Sequence, residues 1–145
     1  MKIEDLIGKI IWNYDKGKSS TILDDGRWKS DVEYDDECEE NYIITDIVKT
    51  TDEFIIIGKL MRSYDDALDA YHIEEIKNTE PIGLFGIDDI SNLLEKSWCM
   101  GKELTRPIIK GKITRIYKPI DSAIRWDLYK GTPMEFFNSY EEDAH

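Results

Sequence analysis

Apolar and polar positions change period several times along the chain, and each period predicts an element. Residues 3–7 support one helical turn and 9–13 a strand. Residues 19–23 and 27–34 read as extended runs around Asp24-Asp25-Gly26, where glycine tolerates the positive φ of a tight hairpin turn. Beyond that turn Trp28, Ser30, Val32 and Tyr34 fall on one face, and Lys29, Asp31 and Glu33 on the other. A charged loop over 35–40 leads into a second hairpin, 42–48 with 53–60, turning through 49–52. Ile55-Ile56-Ile57 is too continuously apolar for a half-exposed strand, which predicts a central strand covered on both faces.

The period then lengthens. Residues 63–77 predict a helix that opens on Ser63 as cap, carries Asp66 in its first turn and stops at Asn78 and Pro81. After a short apolar run, 82–85, a second helix is predicted over 88–100. Its apolar face is Ile90, Leu93, Leu94, Trp98 and Cys99, with Gly101 in the place of a left-handed cap. Residues 108–117 alternate as a strand, Lys110, Lys112 and Thr114 against Ile109, Ile113 and Tyr117. Thr132-Pro133-Met134-Glu135 has a capping Thr, a first-turn Pro and a Glu at the third position, and so starts a short last helix. Residues 141–145 read as a loose tail. Together these elements predict a single α+β domain over 1–145, a mostly antiparallel β-sheet built from hairpins with two or three helices packed on one side.

Charge narrows the function classes. With 31 acids against 19 Lys and Arg in 145 residues, the net charge is −12. Direct nucleic-acid binding needs a basic footprint, and an anionic membrane surface would repel this chain. No apolar run approaches the roughly 20 residues of a membrane helix, and the start, MKIEDLIGK, lacks the basic region of a signal peptide. The expectation is a cytoplasmic protein. The charge is uneven: residues 31–40 hold seven acids and no base, whereas 102–130 hold eight bases and three acids.

Few residues offer catalytic chemistry. Lys16-Gly17-Lys18-Ser19 resembles the end of a phosphate-binding loop, but residue 12, where the first glycine belongs, is Trp, and no helix has room to follow. His72 lacks a second histidine at Ile76, so the metalloprotease pattern is absent. Gly83-Leu84-Phe85-Gly86 lacks the spacing of a dinucleotide loop. Cys38 and Cys99, with only His72 and His145 besides, form no zinc set and are expected to be free thiols. No catalytic residue, cofactor or metal is expected.

The acid run is the anomaly. A solvated loop is its simplest reading, and the acid order of a calcium loop is absent. As a docking surface it would combine Asp31, Glu33, Asp35, Asp36, Glu37, Glu39 and Glu40 with the aromatic anchors Trp28 and Tyr34. The composition parallels that of acidic inhibitors of basic nucleases, such as bacterial immunity proteins. The sequence therefore predicts a protein-binding inhibitor whose partner is a basic toxin or nuclease. Three alternatives stand beside it. One is a phage-type nucleic-acid mimic acting against a defence enzyme. Another is a small-ligand or metal-dependent enzyme using Asp65, Asp66, Asp69 and His72. The last is an assembly subunit, a homodimer paired through a 55–57 edge strand.

Overall fold

The computed structural model describes residues 1–15, 19–22, 28–32, 38–61, 75–105, 108–109, 112–113 and 117–136. A 3-10 turn, Ile3–Leu6, leads into β1 (Ile10–Asp15), β2 (Ser19–Ile22), β3 (Trp28–Val32), β4 (Cys38–Lys49) and β5 (Glu53–Leu60). Then come β6 (Glu80–Gly86), α1 (Ile87–Lys96), β7 (Trp98–Thr105), β8 (Ile108–Ile109), β9 (Lys112–Ile113) and β10 (Lys118–Tyr129). Residues 133–136 are helical.

Six strands close into a barrel, in the order β1-β10-β7-β6-β5-β4, with every pair antiparallel. Two hairpins are inserted into the barrel connections, β2–β3 between β1 and β4, and β8–β9 between β7 and β10. They join in a second sheet, β3-β2-β8-β9, through a parallel contact of Ile22 with Ile109.

This architecture corrects the predicted α+β sheet with helices on one side. Closure removes the open face such helices would cover, and α1 is the one α-helix longer than a turn among the described residues. Two misread segments account for the difference. The predicted helix 88–100 ends at Lys96, because Ser97 takes the left-handed cap (φ 66°) expected of Gly101 and its N–H bonds the Leu93 carbonyl at 3.1 Å. Trp98 and Cys99 then open β7, where exposed and buried residues alternate. The sequence pattern assigns no element to 118–131, yet β10 is a 12-residue strand. Pro119, Ser122 and Ala123 blur its start, near a register shift, while Ile124, Trp126 and Leu128 carry its inward alternation. Within the predicted strand 108–117, β8 and β9 pair antiparallel with each other, Ile108 opposite Ile113, and so are not one continuous strand.

Other expectations hold. The strand at 9–13, the two hairpins and the 3–7 turn all form. Thr132 caps as predicted, its Oγ1 accepting the Glu135 N–H at 3.3 Å. The helix predicted over 63–77 lies largely outside the described residues, as does the 141–145 tail. β5 is central, bonded to β4 and β6, so the proposed edge pairing of Ile55–Ile57 with a second copy has no free edge to use. Among the described residues no helix is long and apolar enough to cross a membrane.

Directly paired residues of antiparallel strands share a face, so the register traces rows across the barrel wall. One inner row is Tyr42–Ile11–Leu128 and the next is Glu40–Asn13–Trp126–Cys99. The main core combines Ile11, Ile44, Ile56, Phe85 and Trp126 with Leu6 from the 3-10 turn and Ile90 and Leu93 from α1. The 3-10 turn precedes β1 and α1 joins β6 to β7, so both lie at the same end of the barrel and plug it. Six strands enclose little space, and two glycines make room for one ring. A Cβ on Gly83 or on Gly101 would collide with the Phe85 side chain. On the outer face, Ile10 and Ile43 are covered by Met61, Ile76, Tyr129 and Phe136.

Candidate binding end of the barrel

The end opposite the plug is where β1, β5 and β7 finish and β4, β6 and β10 begin. Its inner face is polar. Glu40 sits opposite Asn13, Glu80 opposite Gly58 and Glu103 opposite Gly83, each in a row with buried core residues. The Tyr42 hydroxyl donates to Glu40 Oε2. Burial, then the negative charge and hydrogen-bonding of Glu40, then the charges of Glu103 and Glu80, hold the Tyr42 phenol far above the usual tyrosine range. Three carboxylates therefore act on one hydroxyl. Glu103 is buried, while Glu40 and Glu80 are part-exposed, so this end meets solvent.

Asn13 is the outlier. It is 0% exposed, and neither its Oδ1 nor its Nδ2 has a hydrogen-bond partner among the described residues. Buried polar atoms are nearly always paired, because an unpaired one forfeits its bonds to water. Thr105, two residues beyond Glu103 on β7, also has a buried hydroxyl without a partner among the described residues. Trp126, beside Asn13 in the same row, spends its Nε1–H on the Gly101 carbonyl at 3.2 Å. The buried Trp12 Nε1–H and Asn41 Oδ1, on directly paired residues of the outer face, likewise have no partner among the described residues.

The predicted docking residues divide. Trp28 and Asp31 lie on β3, an edge strand of the second sheet, with a register shift leaving Asp31 as the extra residue between the Ser19–Val32 and Ser20–Ser30 pairs. Glu33, Tyr34, Asp35, Asp36 and Glu37 lie outside the described residues, as do Asp65, Asp66, Asp69 and His72. Glu39 and Glu40 lie on β4, and Glu40, paired with Asn13, takes the inner face. Among the described residues no three His, Cys, Asp or Glu gather as a metal site.

Cys99 is a free, buried thiol, pushed up to about 12 by burial and then by Asp89 and Asp127. It is a core residue, not a nucleophile. On the outer face of β7 and β10, Arg125 bonds Asp127 at 3.1 Å and lies 4.8 Å over the exposed Trp98 ring. This is one place where the basic stretch pairs with the chain's own acid.

Sequence reasoning missed Asn13, Tyr42, Glu80 and Glu103. A signal existed for two of them. Asn13 interrupts an apolar run, Ile10 to Tyr14, at an inward position, and Glu103 follows Cys99 and Gly101 at a period of two. Compared with known proteins, the chain matches no family model, no curated relative and no solved structure.

Proposed function

We propose that this chain is an acidic protein-binding inhibitor of the immunity type. It neutralises a basic toxin or nuclease inside the cell by occluding the partner's substrate groove. One observation carries the reading. Among the described residues β3 is an edge strand of the second sheet, and in sequence only residues 33–37, four of them acids, separate it from β4, whose Glu40 faces the interior of the barrel. An edge strand offers unpaired backbone groups to a partner. Adjacent carboxylates offer charge-assisted bonds to the Lys and Arg of a groove built for phosphate. The net charge of −12 would speed encounter with such a groove. A nucleic-acid mimic acting on a defence enzyme would use the same surface, and the neighbouring gene separates the two.

The test is capture from host lysate at low and high salt. The comparison is a variant with Asp35, Asp36, Glu37 and Glu39 changed to Asn or Gln. Glu40 is left native because Tyr42 bonds it inside the barrel. A basic partner that is released by salt and lost in the variant is the expected result. Equal capture by the variant moves the interface elsewhere, and no basic partner at either salt rejects the reading.

A further inference from the structure

We infer that the cleft between the 3-10 turn and the β4–β5 hairpin, at the plugged end of the barrel, binds a small zwitterion with an apolar side chain, a free aliphatic α-amino acid. This goes beyond the partner reading and does not depend on it. The cleft has a volume of about 260 Å³. Ile3, Glu4 and Ile7 form one wall, and Ile47, Lys49 and Phe54 of the hairpin form the other. Ile47 pairs with the core residue Ile56, and Phe54 with Phe85, so both turn inward. Lys49 pairs with Phe54 and shares its face. Ile3, Ile47 and Phe54 rest on the main core, whereas Ile7 is left 40% exposed. Both walls are tied in place. Thr50 closes the hairpin through its N–H and Oγ1, which donate to the Glu53 carbonyl at 2.8 and 3.0 Å. The turn is held by Asp5, whose carboxylate accepts the Lys2 N–H at 2.8 Å, and by the Gly8 N–H, which reaches the Ile44 carbonyl of β4 at 2.7 Å. A cleft already shaped this way spares a ligand the cost of ordering its walls.

Charge selects the class of ligand. Glu4 stands on the turn and Lys49 on the hairpin, and neither side chain forms an ion pair with the other or with any described residue. Both charges therefore remain available to a guest. A simple cation meets the repulsion of Lys49, and a simple anion that of Glu4. A molecule carrying both charges meets a partner for each, its ammonium at Glu4 and its carboxylate at Lys49. Three isoleucines and Phe54 supply the contact for its side chain, and water in a cleft of that lining is poorly held and readily displaced. Size sets the last limit. The volume falls just below the roughly 300–1,000 Å³ of pockets for drug-sized ligands, so a compact branched side chain fits and a nucleotide or a lipid chain does not.

The probe is L-leucine, titrated at constant ionic strength into the full chain with labelled isoleucine methyls. The controls are isocaproate, which lacks the ammonium, and isoamylamine, which lacks the carboxylate. The readouts are the Ile3, Ile7 and Ile47 methyl resonances. Saturable shifts with leucine are expected, and weaker binding of both controls. Affinity for leucine should fall roughly two- to fivefold in Glu4→Gln and again in Lys49→Gln, the worth of one exposed ion pair each. Both residues are exposed, so both variants should keep the native spectrum. The inference is overturned by the absence of saturable shifts, by either control binding as well as leucine, or by unchanged affinity in either variant. Shifts of the same methyls with protein concentration alone would give the cleft to a second copy of the chain and overturn it too.

Discussion

At one end of the barrel Leu6, Ile90 and Leu93 close the interior with hydrocarbon alone, whereas at the other Asn13, Glu40, Tyr42, Glu80 and Glu103 share the inner face. The two ends hang on the same six strands, so backbone pairing does not distinguish them. The side chains do. The plugged end removes apolar surface from water, which is the main favourable contribution to folding. The polar end buries groups that gain little by burial and, at Asn13, lose their bonds to water without replacement. A fold selected for stability alone would put aliphatic residues at both ends. The difference separates the part of the molecule that holds the barrel together from a part that contributes little to its stability.

The largest effect is expected where the two ends meet. Phe85→Ala removes the ring that covers Gly83 and Gly101 and packs on Trp126. It should cost about 3–5 kcal/mol in urea unfolding. Gly101→Ala attacks the same contact by overfilling, since its Cβ meets the ring, and should cost roughly 1–3 kcal/mol. A neutral result for either would show that the barrel interior is looser than described.

Tyr42→Phe sharpens the comparison from the polar side. It deletes the hydroxyl bonded to Glu40, for an expected loss of about 1–3 kcal/mol near neutral pH. The pH dependence follows from Tyr42 and Cys99, both of which the fold holds protonated above their ordinary values. Their stabilising contribution is whole below the ordinary thiol value of 9.0 and is lost as pH climbs towards about 12. Urea midpoints should therefore fall on the alkaline side, and Tyr42→Phe should flatten part of that fall. The buried Cys99 should resist thiol reagents at pH 8 until the protein is unfolded, as read by peptide mass. The smallest effect is expected away from both ends. Thr132→Ala removes a helix cap on the outer face and should cost about 1 kcal/mol.

Local rules read the hairpins correctly because their signals are local. Short extended runs joined by a few residues, and the Thr-Pro-x-Glu start, each act within a short stretch of chain. Closure is not a local property. Trp98 and Cys99 continue the helical stripe of Leu93 and Leu94, and only Ser97 in a left-handed conformation breaks it. Serine rarely takes that conformation, so nothing in the sequence pattern marks the break. With β7 read as helix and β10 unassigned, the ring could not close on paper. The polar end was hidden for the same reason. Glu40 reads as one more acid in a solvated run until β4 is paired with β1, when it turns inward to face Asn13.

The two-ended account is tested most directly by a pair of opposite swaps, Leu6→Asn at the plug and Asn13→Leu at the polar end, compared by urea unfolding. Both positions are 0% exposed, so burial alone does not separate them. The account predicts opposite outcomes. Leu6→Asn should lower the midpoint sharply, while Asn13→Leu should leave it unchanged or raise it, since an apolar residue there relieves a buried unpaired amide. A comparable loss of stability from both swaps would contradict the account, because it would make Asn13 part of what holds the barrel together.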